Sequence, residues 1–155
     1  MGGNSDKLIE ESDLIVANPD VSVENPYLQL AKKLNKEVAN GATIFYAYWN
    51  KRTMAVTGTR GKTTTVNWLN HFLKSRYKSV VTGNSYSKPL LSILDQADKF
   101  DFAVTELPSF LLELFDSSPK APEIAIVTNV SQDHLNRHHT LEEYARVKAT
   151  IFKKQ

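Results

Sequence analysis

The stretch TMAVTGTRGKTTTVNWLNHFL, residues 53–73, decides the fold of this chain. It begins with an apolar run of strand length at 53–58, and apolar residues at helical spacing follow over 62–75. A Gly-Lys-Thr sequence between a strand and a helix is the context in which such a loop binds phosphate. The strict pattern G-x-x-x-x-G-K-[ST] is not met, because Val56 stands where the first glycine should be. The stretch therefore indicates a phosphate loop of a form that the strict pattern does not describe.

The residues of this loop are suited to binding an anion such as phosphate. Gly58 and Gly61 let the backbone turn tightly and bring its N–H groups to a phosphate, and the start of helix 62–75 adds its positive dipole end. Lys62 would place a charge against the β and γ phosphates, and the Thr63 hydroxyl would bind Mg²⁺. The alternative is a tight strand–helix turn with a solvated lysine. We interpret the loop as a phosphate site, and the expected nucleotide-binding residues are Gly58, Thr59, Arg60, Gly61, Lys62, Thr63 and Thr64.

The composition argues against several classes of protein. The 155 residues include no cysteine, which excludes disulfides, thiolate metal sites and thiol catalysis. A net charge of +2 gives no broad field for nucleic acid, and no apolar run approaches the roughly 18 residues of a membrane span. The start of the chain lacks the basic-then-apolar order of a signal peptide. We therefore expect a soluble, cytoplasmic protein with no nucleic-acid or membrane partner.

Four strand signals alternate with helical patterns from residue 51 onward. Three of the four are continuous apolar runs, which are typical of strands buried on both faces of a parallel sheet. The alternation predicts an α/β fold with an open, mostly parallel sheet and flanking helices, like that of the P-loop NTPases. The predicted strands are 53–58, 78–83, 101–106 and 123–129, and the predicted helices are 62–75, about 88–97, and 109–116.

Each predicted strand ends in a small or polar residue. These last residues are Gly58, Gly83, Glu106 and Asn129. Ligands of open α/β sheets bind outside the carboxyl ends of the strands. We therefore expect the chemistry of this chain at that edge.

The first third of the chain is predicted to form a short α/β unit. Asn25 suits an N-cap and Pro26 suits the first turn of the helix that follows. The stretch 42–50 is too uniformly apolar for its periodicity to separate helix from strand. The predicted elements are a strand at 13–17, a helix at 26–35 and a short strand within 36–40.

Glu106 is a candidate metal ligand. It ends an apolar strand at the predicted ligand edge, where an acidic residue commonly contacts the Mg²⁺ of a bound nucleotide. The alternative is a carboxylate that stabilises the N-terminus of the helix predicted at 109–116.

The loop at 128–139 contains further candidates. Asp133 and His134 together suit Mg²⁺ or Mn²⁺, although Mg²⁺ prefers oxygen donors. His138 and His139 are expected to be solvated surface residues, whereas His134 directly follows Asp133 beyond the strand end.

A helix is predicted to begin at Leu141, because Thr140 and Glu143 have the spacing of a capping box. Its apolar stripe includes Lys148. Periodicity alone predicts that this lysine snorkels, with a packed stem and an amine in water. An amine held inside would instead have a lowered pKa and would be nucleophilic.

Four motifs resemble those of the Mur ligases in order and spacing. The Mur ligases are ATP-dependent amide-forming enzymes of peptidoglycan synthesis, and the shortened loop T-G-T-x-G-K-T is that family's own form. Within the family, ELPSFLLE is most similar to the sequence of members that add D-glutamate to UDP-N-acetylmuramoyl-L-alanine. The four motifs are VTGTRGKTTT (56–65), TELPSFLLE (105–113), TNVSQDHLNRH (128–138) and YARVK (144–148).

The resemblance implies a domain organisation and a reaction. Residues 1–50 would be the remnant of an N-terminal UDP-sugar-binding domain, and 51–155 a truncated ATP-binding central domain. ATP would phosphorylate a carboxylate to an acyl phosphate, which the amine of D-glutamate attacks. A full Mur ligase has a third domain as well, so this chain resembles a fragment that we expect to be inactive alone.

The resemblance also implies roles for individual residues. Lys148 matches a lysine that family members carry as a carbamate, which reverses the snorkelling expectation. The implied catalytic residues are Lys62, Glu106, His134 and Lys148, the implied Mg²⁺ ligands are Thr63, Glu106 and His134, and the implied substrate contacts are Asn84 and Ser109.

The sequence departs from the family pattern close to the substrate. Arg60 stands where the family usually has Asn, Pro108 replaces a serine, Leu111 replaces a glutamine, and Asp20 falls where a glycine is expected. Two alternatives therefore stay open. One is another ligase of the superfamily, such as the folylpolyglutamate synthetases, and the other is a non-catalytic nucleotide-binding module.

Overall fold

The computed structural model describes residues 6–83 and 88–153. It has a main sheet of four parallel strands and a separate sheet of two. The helices are α1 (Asp6–Glu11), α2 (Pro26–Lys33), α3 (Gly41–Tyr48), α4 (Lys62–Leu73), α5 (Ser109–Leu112), α6 (Leu135–His138) and α7 (Leu141–Ala149). The strands are β1 (Leu14–Val16), β2 (Glu37–Ala39), β3 (Arg52–Thr57), β4 (Ser79–Gly83), β5 (Phe102–Glu106) and β6 (Ile124–Val127). The described residues also form 3₁₀-helices at Leu90–Lys99, Phe115–Ser117 and Thr150–Phe152.

The main sheet has the strand order β4-β5-β3-β6, and all neighbours are parallel. In its register, Glu106 lies opposite both Val56 and Gly83, and Thr57 lies opposite Val127. The carboxyl ends of the strands therefore meet at one edge. This confirms the predicted α/β fold with an open parallel sheet and flanking helices.

Both faces of the main sheet are covered, as the continuous apolar runs predict. On one face, Val56 and Val104 pack against Val66 of α4. On the other face, Ala55 and Ala103 belong to the larger core cluster, because successive residues of a strand point to opposite faces. The larger cluster also contains buried residues of α3, α5 and the first 3₁₀-helix, among them Phe45, Leu90, Ile93, Leu111 and Leu112.

Helix α3 is the apolar stretch whose periodicity was ambiguous. Asn40 and Thr43 form a capping box at its start, in which the Asn40 side chain accepts from the Thr43 N–H and the Thr43 hydroxyl accepts from the Asn40 N–H. Phe45 stacks on Trp49 with ring centroids 5.0 Å apart. The Tyr46 hydroxyl bonds Thr105 Oγ1 of β5 at 2.8 Å. The cap starts the helix, and its uniform apolarity reflects burial in the core of the main sheet.

The N-terminal strands and helix predicted from the sequence are present, whereas helix α1 (Asp6–Glu11) was not predicted. Strands β1 and β2 pair in parallel. Asn25 caps α2 by accepting a hydrogen bond from Tyr27 N, as predicted. The helix ends at Lys33, two residues early, because the chain turns at Asn35 with φ of 53°. The domain division near residue 50 stays a prediction, although α3 contributes to the main core.

Two predicted α-helices are shorter or tighter than expected. The segment predicted at 88–97 is the 3₁₀-helix Leu90–Lys99, whose buried Leu90 and Ile93 suit its three-residue turn. The helix predicted at 109–116 ends at Leu112 and continues as a 3₁₀-turn that buries Phe115. Across the part of the chain that the structure describes, no helix is both long and apolar enough to cross a bilayer.

Candidate functional site

The loop between β3 and α4 requires both of its glycines. Gly58 has φ of +147° and Gly61 has φ of +82°, a region that favours glycine. A Cβ at Gly58 would lie 1.9 Å from Thr128 Oγ1. Within the described residues, no side chain caps the first N–H groups of α4, which begins at Lys62. The start of α4 therefore presents uncapped backbone donors and a positive helix end to a ligand at the sheet edge.

Two lysine amines converge on this loop. Lys62 Nζ donates to the carbonyl oxygens of Gly58 at 3.0 Å and Thr59 at 3.1 Å. Lys148 Nζ donates to the same Gly58 oxygen at 3.1 Å. The structure thus brings together two residues that are 86 positions apart and that the resemblance assigns to catalysis.

Lys148 is buried, so the snorkelling prediction is wrong. Its side chain is 1% exposed, and its amine lies 4.3 Å from the centre of the Tyr144 ring. The pKa of Lys148 is lowered to about 8, mainly by burial and secondly by the charge of Lys62, against an opposing effect of Asp133. Periodicity placed Tyr144 and Lys148 correctly on the buried face of α7, whereas Leu141 and Phe152 of the same predicted stripe are exposed. It did not show that α7 packs against the phosphate loop, where Lys148 Nζ meets the Gly58 carbonyl.

Thr63 and Glu106 are in contact at the carboxyl edge of the main sheet. The Thr63 hydroxyl donates to Glu106 Oε2 at 2.9 Å, from the first turn of α4 to the end of β5. A hydroxyl and a carboxylate at this separation are the oxygen donors that Mg²⁺ prefers. These two residues therefore fit a magnesium ion that accompanies a nucleotide.

His134 lies at the start of α6 with a left-handed backbone, φ of 51°. Its ring is exposed, lies 3.7 Å from Asp133 Oδ2, and contacts the Phe110 ring edge-on with centroids 4.8 Å apart. Across residues 6–83 and 88–153, no group of three or more His, Asp or Glu side chains is arranged to hold a metal. His134 thus belongs to no such group among these residues, and its metal role stays a prediction.

The two remaining loop histidines differ from one another. His139 is exposed, as expected, and pairs with Glu24 at 2.9 Å, which raises the pKa of His139. His138 was expected at the surface, and this expectation is wrong, because its side chain is 3% exposed. Its Nε2 hydrogen-bonds Ser109 Oγ at 2.9 Å, and burial lowers the pKa of His138.

The proposed substrate contacts are only partly visible. Ser109 is buried and bonded to His138, so its hydroxyl faces the interior. Asn84 lies outside the described residues. The substrate roles of both residues stay predictions.

The sequence did not reveal how the phosphate loop is held. Asn129 Oδ1 accepts from Arg60 N at 3.1 Å, and Asn129 Nδ2 donates to Arg60 O at 3.0 Å. Thr128 Oγ1 donates to the same Arg60 oxygen at 2.7 Å. Thr59 N donates to Asn129 O at 2.9 Å, and Ser131 N donates to Thr59 Oγ1 at 3.0 Å. The polar residues that follow β6 thus support the loop that follows β3, a role that only the adjacency of these strands reveals.

The chain is similar in sequence to known proteins. The family described as the Mur ligase middle domain matches residues 56–155. The UDP-N-acetylmuramoylalanine–D-glutamate ligase of Lachnoclostridium phytofermentans is 31% identical over 155 residues, which are 100% of this chain and 34% of that protein. The enzyme of the same name from Fervidobacterium nodosum is 33% identical over an alignment of 156 positions that covers 99% of this chain and 36% of that protein. The chain spans about a third of the length of these curated relatives.

Solved structures agree on the fold. The MurF ligase of Thermotoga maritima in complex with ADP superposes with a TM-score of 0.58 at 22% identity, over 96% of this chain and 42% of that one. A pseudomurein peptide ligase type C from Methanothermus fervidus superposes with a TM-score of 0.51 at 26% identity, over 97% of this chain and 32% of that one. Because the family match includes 100 of the 155 residues, the chain belongs to the Mur ligase family and carries its middle domain.

Proposed function

We propose that this chain is the nucleotide-binding part of a ligase that uses ATP to join D-glutamate to UDP-N-acetylmuramoyl-L-alanine. Mur ligases use ATP, and the curated relatives with 31% and 33% identity are named for this D-glutamate reaction. The observation that carries the proposal is the meeting of Lys62, Thr63 and Glu106 at the carboxyl edge of the sheet. These residues suit the transfer of a phosphoryl group to a carboxylate.

The phosphate loop binds and orients the nucleotide in this proposal. Backbone N–H groups at the start of α4 would bind phosphate oxygens, since those of Thr59 and Arg60 already donate to Asn129. Lys62 leaves the Gly58 and Thr59 carbonyls and places its charge on the phosphates, where negative charge develops during transfer. Thr63 and Glu106 would hold a magnesium ion, which supplies positive charge to the same oxygens. His134 would contribute to a second magnesium site.

Lys148 is proposed to act as a carbamate. Because its pKa is lowered to about 8, about a tenth of its amine is neutral at pH 7, far more than for an ordinary lysine. The ammonium would first lose one proton, and the neutral nitrogen would then attack the carbon of CO₂, forming an N–C bond as one C=O π bond opens onto oxygen. Loss of a second proton from the nitrogen would leave a carbamate, so that the cation becomes an anion. Labelled ¹³C-bicarbonate should then give a carbamate resonance that is absent in Lys148→Met and present in Lys74→Met. A spectrum without that resonance would refute the modification.

The ligase proposal places the chain in the cytoplasm, with ATP and both substrates as its partners. It can be tested in a chimera, because the chain aligns with about a third of the Fervidobacterium protein. The chimera carries this chain in place of the aligned segment, and phosphate release from ATP is measured. We expect release that requires D-glutamate and the UDP-linked substrate and that is lost with Lys62→Ala. A chimera that binds Mg-ATP but releases phosphate equally with L-glutamate, or not at all, would contradict the proposal.

A further inference from the structure

A buried ion pair lies behind the loop that bears His134. Glu113, just after α5, accepts from Arg137 Nε at 2.7 Å and from Arg137 Nη2 at 2.7 Å. The two side chains are only 6% and 12% exposed. A two-bond arginine–carboxylate pair fixes direction as well as distance, so Arg137 has one defined orientation.

The same guanidinium reaches two further groups. Its Nη2 donates to the Val21 carbonyl at 3.0 Å, in the segment that precedes α2. Its central carbon lies 4.4 Å from the centre of the Phe110 ring. The Phe110 ring in turn contacts the His134 ring, with ring centres 4.8 Å apart. Arg137 therefore contacts the N-terminal segment on one side and the neighbour of His134 on the other.

The backbone around Arg137 is held under strain. α6 is flanked by His134 and His139, whose φ angles of 51° and 61° are uncommon for residues other than glycine. Such conformations persist when surrounding contacts over-determine them. The contacts here are the Glu113 pair and the bond from His139 to Glu24 at 2.9 Å.

We propose that Arg137 is a positioning residue that fixes the imidazole of His134 and couples it to the segment 21–24. This inference rests on the proposed role of His134 beside the nucleotide and adds the residue that holds it in place. When segment 21–24 shifts, Arg137 loses the Val21 carbonyl as an acceptor. The Phe110 ring, which contacts both Arg137 and His134, is then held less firmly. The position of segment 21–24 thereby affects the orientation of the His134 imidazole.

Amide hydrogen exchange in the 155-residue chain tests this coupling, because hydrogen-bonded backbone amides lie both beside His134 and in segment 21–24. His138 N donates to His134 O at 3.0 Å, Val21 N donates to Asn18 O at 2.9 Å, and Thr59 N reports the phosphate loop. In Arg137→Lys, which keeps the charge but loses the fork, we expect exchange at His138 and Val21 to accelerate about tenfold or more, with Thr59 unchanged. The imidazole resonances of His134 should shift in the same variant, because the Phe110 ring moves.

The matched control is Arg146→Lys, since Arg146 is 75% exposed and pairs with Glu143 on the surface of α7. It should change none of the reporters. Unchanged exchange in Arg137→Lys, equal acceleration at Thr59, or acceleration at His138 without Val21 would each overturn the inference. Failure of the unsubstituted chain to bind Mg-ATP would refute the proposed function instead and would leave the exchange result standing.

Discussion

Lys62 and Lys148 donate hydrogen bonds to one carbonyl oxygen, that of Gly58, at 3.0 and 3.1 Å. Like charges this close repel, and the charge of Lys62 contributes to the lowered pKa of Lys148. Phosphate oxygens would draw Lys62 off the carbonyl and would relieve part of this repulsion. In the proposed nucleotide complex, phosphate would thus replace an unfavourable contact between Lys62 and the unmodified, cationic Lys148.

The lowered pKa of Lys148 makes its contribution to stability depend on pH. The pKa is about 8 in the folded protein and 10.5 for an ordinary lysine. Between these values the unfolded chain binds more protons, so the penalty of burying the charge is complete below pH 8 and is relieved as the pH rises to 10.5. Lys148→Met removes this pH-dependent contribution of the buried amine to the free energy of unfolding. We expect the free energy of unfolding of the variant, relative to the parent, to fall by about 3 kcal/mol over that range in urea titrations. A difference that stays constant with pH would show that Lys148 keeps its ordinary pKa.

Gly58 should tolerate no side chain. Gly58→Ala adds a Cβ that meets Thr128 Oγ1 and Asn129 backbone atoms at a φ of +147°. We expect a loss of about 2 kcal/mol or more in stability, together with the loss of Mg-ATP binding. Gly41→Ala is the matched control, because nothing lies within 4 Å of its added Cβ and it starts helix α3. Thermal unfolding and calorimetry of both variants check this, and equal behaviour of the two would contradict it.

The hydroxyl of Thr63 should make nucleotide binding depend on magnesium. Thr63→Val removes the group that contacts Glu106, whereas Thr63→Ser retains it. The enhancement of ATP affinity by Mg²⁺ should fall about tenfold or more in Thr63→Val and in Glu106→Gln, and should be kept in Thr63→Ser. Affinities measured with and without Mg²⁺ decide this. Full magnesium enhancement in Glu106→Gln would exclude that carboxylate as a ligand.

Asn129 should hold the phosphate loop in its binding conformation. Asn129→Ala removes both bonds to the Arg60 backbone, and we expect the affinity for Mg-ATP to drop about tenfold. Asn50→Ala is the control, since Asn50 is exposed and precedes β3 at the opposite end of the sheet. Nucleotide titrations of both variants provide the test, in which parental affinity of Asn129→Ala would remove Asn129 from the site.

The sequence predicted those features that depend on one element and its immediate neighbours. Continuous apolar runs predicted strands covered on both faces, and the glycine and lysine pattern predicted the loop with its free helix N-terminus. Features that depend on packing between distant elements were missed. Lys148 is buried because α7 rests on the phosphate loop, and His138 is buried because it meets Ser109 from α5. The role of Asn129 follows from the adjacency of β6 and β3, which chain order does not reveal.

Calorimetric titration of the chain with Mg-ATP tests the central claim most directly, with Lys62→Ala and Lys74→Ala measured beside it. Lys62 begins α4 within the loop, and Lys74 follows the end of the same helix. We predict saturable binding by the parent and by Lys74→Ala, and its loss in Lys62→Ala. Binding that survives Lys62→Ala, or that is absent from the parent, would contradict a nucleotide site at this loop.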